Sequence, residues 1–159
     1  MVDLVIVLES LYLPKSRGGW LQVALAASNL LGTTEAETRE VFENIELAYK
    51  IRNSYVHGEP ILAEAWRKFV HSTARTAGVQ LPSVDHDIGG YALELLRDYA
   101  RRSVLALLNL HYGHQRHLSG AMEHLLLRLH LDAAARKKIQ AEAGCYPLHD
   151  RPQYSAPQD

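Results

Sequence analysis

The hexapeptide Arg52-Asn53-Ser54-Tyr55-Val56-His57 holds the two side-chain types that handle phosphate esters without a metal. Arginine presents a fixed fork of donors that matches two phosphate oxygens, and histidine exchanges protons near neutral pH. Scission of RNA needs both. A base removes the 2′-OH proton, that oxygen attacks the adjacent phosphorus, and a cation stabilises the charge on the nonbridging oxygens. His57, with an ordinary pKa of about 6.5, can serve as base or acid, and Arg52 would hold the phosphate. Asn53, four residues before His57, shares its helix face and can orient substrate or imidazole. His57 lies five positions after Arg52, which puts the two on different sides of an ideal helix. A single copy therefore converges poorly unless the last turn unwinds or two copies meet, and the spacing predicts a two-fold homodimer.

The elements that must position these groups read as helices throughout. Val2 to Leu13 is almost continuously apolar and meets Pro14, which suits a buried helix that stops before the proline. Within it Glu9 is flanked by Leu4, Val5, Leu8, Leu11 and Tyr12, a carboxylate on or beside the core face that needs a partner. Trp20 to Leu31 is a second helix, with Gly32 at a C′ position. Thr34 followed by Glu37 reads as a capping box that starts a third, with Glu35, Glu37 and Glu40 in its first turns, where the helix dipole favours negative charge. Along it Val41, Ile45, Ala48 and Arg52 form one line and Phe42, Tyr49 and Val56 its neighbour, so Arg52 takes a core-stripe position. Gly58 and Pro60 end this helix just after His57. Ile61 to Ala77 and Tyr91 to Tyr112 read as further helices, joined by a loop from Val79 to Gly90. Gly120 to Leu129 and Asp132 to Ala143, with Asp132 as N-cap, follow as two short ones. No strand periodicity and no repeat appears. The expected fold is all-α, a bundle of about five to seven helices over residues 1–145, with a proline-rich flexible tail over 146–159.

Other residues carry weaker chemical signals. Glu9 is either a substrate contact or, more simply, the counter-ion that keeps Arg52 charged and aimed. Tyr49 and Tyr55 flank the hexapeptide and can stack on bases, although helical spacing makes core packing the plainer role. Arg97, Arg101 and Arg102 form a basic edge that is either a solvated face or a phosphate track. His111, His114 and His117 recur at spacing three near Asp85, His86 and Asp87 in an outline of a zinc site. Gly113 breaks the helix between the first two and no cysteine assists, so surface or RNA-contacting histidines are preferred, and no metal and no cofactor is expected.

Composition bounds the partner. A net charge of -1 withholds the broad positive field of a general nucleic-acid coat protein, so any RNA contact has to be local and site-like. The single cysteine, Cys145, cannot form an intramolecular bridge, and no leader pattern opens the sequence; a reducing cytoplasm is the expected compartment. The most apolar central stretch, Val104 to Leu110, is far shorter than the roughly 20 residues of a membrane span, so no membrane partner is expected.

The string RNSYVHG matches the R-x4-6-H signature, in its polar-after-arginine form, of the HEPN superfamily (higher eukaryotes and prokaryotes nucleotide-binding). Together with VLESLYL, a helix ending NLLG, and ETREVFENIELAYKIRNSYVHGE, the chain resembles the Apea-like branch of that superfamily over about residues 4 to 112. The resemblance implies a helical bundle that dimerises with two signatures facing each other. It also implies a metal-independent endoribonuclease in toxin, phage-defence or RNA-processing systems, with Arg52, Asn53 and His57 as the site and Glu9 a weaker addition. Such domains often sit at the C-terminus of larger proteins, so whatever a preceding module supplies is expected to be missing or encoded elsewhere. Two readings follow. One is an endoribonuclease that cuts single-stranded RNA and leaves a 2′,3′-cyclic phosphate, with an antitoxin or nucleotidyltransferase as partner. The other is a non-catalytic HEPN module that binds RNA, nucleotide or a partner protein through the same cleft.

Overall fold

The computed structural model describes residues 2–13, 19–58, 68, 88–113 and 118–145, with the side chains of 88–92 and 118–123 excepted. Among them the chain is all-helical and no strand occurs. The helices are α1 (Val2–Tyr12), α2 (Trp20–Leu31), α3 (Glu35–Val56), α4 (Ile88–Leu108), α5 (Leu118–Leu131) and α6 (Ala133–Glu142), and α4 runs on into a π-helical turn over Asn109–Gly113. None of the described helices is long and apolar enough to cross a membrane. The helix expected over 61–77 lies outside the described residues apart from Lys68, as does the tail over 146–159.

Helix α2 is the centre of the bundle. It buries Val23, Ala24, Ala26, Ala27, Leu30 and Leu31, and the other five helices pack around it or around its nearest neighbours. Its alanines let the flanking helices approach closely, which suits an element that is apolar nearly all round. Helix α1 turns Val5, Leu8 and Tyr12 inward, and α4 contributes Leu95, Leu96, Tyr99, Ala106 and Leu107. Polar ties fix the register of these layers. The Tyr12 hydroxyl donates to Ser103 Oγ at 2.8 Å, joining α1 to α4, and Asn44 Nδ2 donates to the Tyr99 hydroxyl at 3.0 Å, joining α3 to α4. Burial pushes the Tyr12 proton affinity up, so its hydroxyl stays a donor across the accessible pH range.

The capping box at the start of α3 is present: Thr34 Oγ1 accepts from the Glu37 amide, and the Glu37 carboxylate answers to the Thr34 backbone and also takes the Thr33 amide at 2.8 Å. Gly32 differs from its expected role. Its backbone is extended, at φ -78 and ψ 114, and not the left-handed turn of a C′ glycine. What demands glycine there is space, because a Cβ would lie 2.5 Å from the backbone of Thr38 where α2 meets α3. Glu40 likewise does more than answer the helix dipole; it is buried and accepts from the Tyr99 hydroxyl at 3.4 Å. Helix α4 begins three residues before Tyr91, and α5 and α6 are longer at their starts or better closed than a pair of minimal helices, with Asp132 capping Ala134 and Ala135 as the sequence indicates.

Candidate functional site

Helix α3 buries Val41, Ile45, Ala48, Tyr49 and Ile51, and its last turn then leaves the core. Val56 is 56% exposed and Tyr55 69% exposed, so the last turn stands clear of the bundle, and the line from Phe42 through Tyr49 to Val56 ends its core role at Tyr49. The turn stays helical: the His57 amide donates to Asn53 O at 3.0 Å, and Gly58 then takes a left-handed φ of 68° that diverts the chain. No unwinding brings the ends of the hexapeptide together. At about 100° per residue, Arg52 and His57 project about 140° apart around the axis. His57 and Asn53 are exposed and Arg52 is half-buried.

Arg52 is held on one side only. Its Nη1 donates to Asn53 Oδ1 at 3.3 Å, whereas its Nε is enclosed and has no hydrogen-bond partner. The expected ion pair between Glu9 and Arg52 does not form. Tyr49 is the group on which both charges act: it is buried, one helical turn before Arg52, and its hydroxyl makes no bond within ordinary hydrogen-bond geometry. Burial, and then the nearby Glu9 carboxylate of α1, push its proton affinity up, while the Arg52 guanidinium pulls the other way. The site thus has an enclosed layer of Tyr49 and Arg52 Nε, with half-buried Glu9 close by, and an open layer of Asn53, Tyr55 and His57. The enclosed Arg52 Nε, without an acceptor, leaves room in the bonding scheme for a water.

The remaining candidates separate clearly. Tyr49 packs in the core and Tyr55 does not, so only Tyr55 is placed to meet a base from solvent. The basic edge on α4 is not free: Arg97 pairs with Glu94, Arg101 with Asp98 at 3.1 Å, and Arg102 turns inward, donating to Asp98 at 2.7 Å. His111 is half-buried and meets Tyr112 edge-to-face at 4.6 Å. His114, His117, Asp85, His86 and Asp87 lie outside the described residues, among which no group of three His, Cys, Asp or Glu could hold a metal ion.

Sequence reasoning missed the polar set around Asn29, where α2, α5 and α6 meet through His130, Arg136 and Gln140. The signal was an asparagine inside the otherwise apolar end of α2, a residue that has to find partners when buried. Comparison with protein-family models, with curated proteins and with solved structures finds no match.

Proposed function

We propose that the chain is a metal-independent endoribonuclease of the HEPN type, acting as a homodimer on single-stranded RNA. The observation that carries the reading is the end of α3, an exposed helix terminus that presents His57 and Asn53 to solvent and holds Arg52 half-buried on the same last turns. His57 as base takes the 2′-OH proton, O2′ forms a bond to phosphorus, and the bond to the 5′ oxygen breaks. That oxygen leaves with a proton returned by a histidine acid, giving a 2′,3′-cyclic phosphate and a 5′-OH. Arg52 meets the nonbridging oxygens with the outer nitrogens of its guanidinium. Asn53 keeps the guanidinium turned toward the open side, and Tyr55 offers a ring to a neighbouring base. Because one straight helix points Arg52 and His57 apart, a complete site takes Arg52 and His57 from two copies.

In this reading Tyr49 and Glu9 support the substrate-binding arginine from behind. A cytoplasmic toxin or phage-defence setting, with an antitoxin or nucleotidyltransferase partner, follows from the family resemblance, and a neighbouring gene of either kind would favour it. The second reading, a non-catalytic module that binds RNA, nucleotide or a partner protein, is favoured by the bond between Arg52 and Asn53, which already occupies one arm of the fork. Sugar chemistry separates the two. RNA should be cut and the same sequence with 2′-deoxy sugars should be bound but left intact. Binding of both without scission would support the module, and scission of the deoxy strand would rule out attack by a 2′-OH.

A further inference from the structure

Asn29 sits near the end of α2, where α5 and α6 close over it. Its amide nitrogen donates to Leu25 O at 2.8 Å and lies 3.0 Å from His130 Nδ1 of α5, while its amide oxygen accepts from the Arg136 guanidinium of α6. Its backbone carbonyl accepts from Gln140 Nε2 at 2.9 Å, and the same amide reaches Gly32 O at 2.7 Å. These partners fix the orientation of the Asn29 side chain. Turning it over would set oxygen against the Leu25 carbonyl and nitrogen against the guanidinium, acceptor on acceptor and donor on donor. With Asn29 fixed, the imidazole is fixed as well. Nδ1 faces a donor and has to be the lone-pair nitrogen, so the ring proton sits on Nε2.

We infer that His130 is a proton-sensitive latch: neutral and protonated on Nε2, it fastens the α5–α6 hairpin to α2 through Asn29, and a second proton on its ring loosens that hairpin. A proton on Nδ1 would press N–H against N–H, and Asn29 cannot turn to receive it without losing Leu25 and Arg136. Among the described residues no carboxylate is set against the ring to reward the added charge. Helix α2 has no titratable side chain between Trp20 and Leu31, α6 faces the ring with cationic Arg136, and Arg128 on α5 carries the same sign. The Asp132 carboxylate, two residues on, is engaged by the amides of Ala134 and Ala135. Burial first, and then the Arg136 charge, accordingly hold the His130 pKa below its ordinary value. A histidine whose pKa is lowered by folding adds stability that is complete above the unfolded value of about 6.5 and is lost as pH falls through the lower folded value.

The test compares melting temperature across about pH 7.5 to 5 for the wild type and for His130→Gln, whose side-chain carbonyl can accept from Asn29 without titrating. The wild type should lose more melting temperature than the variant, with the divergence confined to pH below about 6.5. Nitrogen-detected NMR of the wild-type ring should show the Nε2–H tautomer with a titration midpoint below the ordinary histidine value. Equal pH profiles for the wild type and a folded variant would overturn the latch. If His130→Gln fails to fold, the wild-type ring decides alone: an Nε2–H tautomer with a depressed midpoint supports the latch, and an Nδ1–H tautomer or an undepressed midpoint overturns it.

Discussion

Two buried tyrosines show how the same residue type takes different energetic roles. Tyr12 spends its hydroxyl on Ser103, itself fully buried, so Tyr12→Phe strands the Ser103 hydroxyl and should cost about 1–3 kcal/mol. Tyr49 makes no bond of ordinary geometry and its hydroxyl meets only the nearby Glu9 carboxylate, so Tyr49→Phe, which keeps the ring, should lower the melting temperature less than Tyr12→Phe does. A clear fall in Tyr49→Phe, comparable to that of Tyr12→Phe, would show that its hydroxyl is bonded in solution. For Arg52 the expected behaviour follows from shape. Arg52→Lys keeps the charge but loses the fork, so RNA binding measured by filter retention should weaken nearly as far as in Arg52→Ala. Full rescue by lysine would reduce Arg52 to a point charge.

At the scale of elements, most of what positions the site was legible in the sequence because it is local. The start of α3 was visible in Thr34 and Glu37, whose reciprocal bonds need only a spacing of three. Its end was visible in Gly58, whose φ of 68° suits glycine. Gly32 shows where local reasoning stops: the residue was marked, but its reason, a Thr38 backbone against which no Cβ fits, belongs to the meeting of two helices. The inward turn of Arg102 and the burial of Glu40 were hidden for the same cause, since both depend on which face of a helix a distant neighbour covers. The two kinds of signal predict different losses. Thr34→Ala should cost about 0.5–2 kcal/mol through its cap. Gly32→Ala should cost about 1–3 kcal/mol through overpacking, and chemical denaturation of the two variants measures both. A neutral Gly32→Ala would mean that α2 and α3 separate more readily than their contact suggests.

For the whole molecule, the spacing of the hexapeptide set Arg52 and His57 on different sides of a helix but left open whether the last turn unwinds. The His57–Asn53 backbone bond keeps that turn helical, and a straight helix directs the arginine and the histidine apart. One complete site of the proposed kind therefore requires two copies, and light scattering at about tens of micromolar should return twice the 17.8 kDa chain mass. A mixture of Arg52→Ala and His57→Ala chains should regain part of the activity that each lacks alone. The central claim is that His57 moves protons in a reaction that needs no metal, and the most direct measurement is cleavage of mixed single-stranded RNA by the purified protein in excess EDTA, wild type against His57→Ala. The wild type should cut with 2′,3′-cyclic phosphate ends, and the variant should be slower by about 10²- to 10⁴-fold, with RNA binding little changed. Equal rates in the two proteins, or activity abolished by EDTA and restored by zinc, would contradict it.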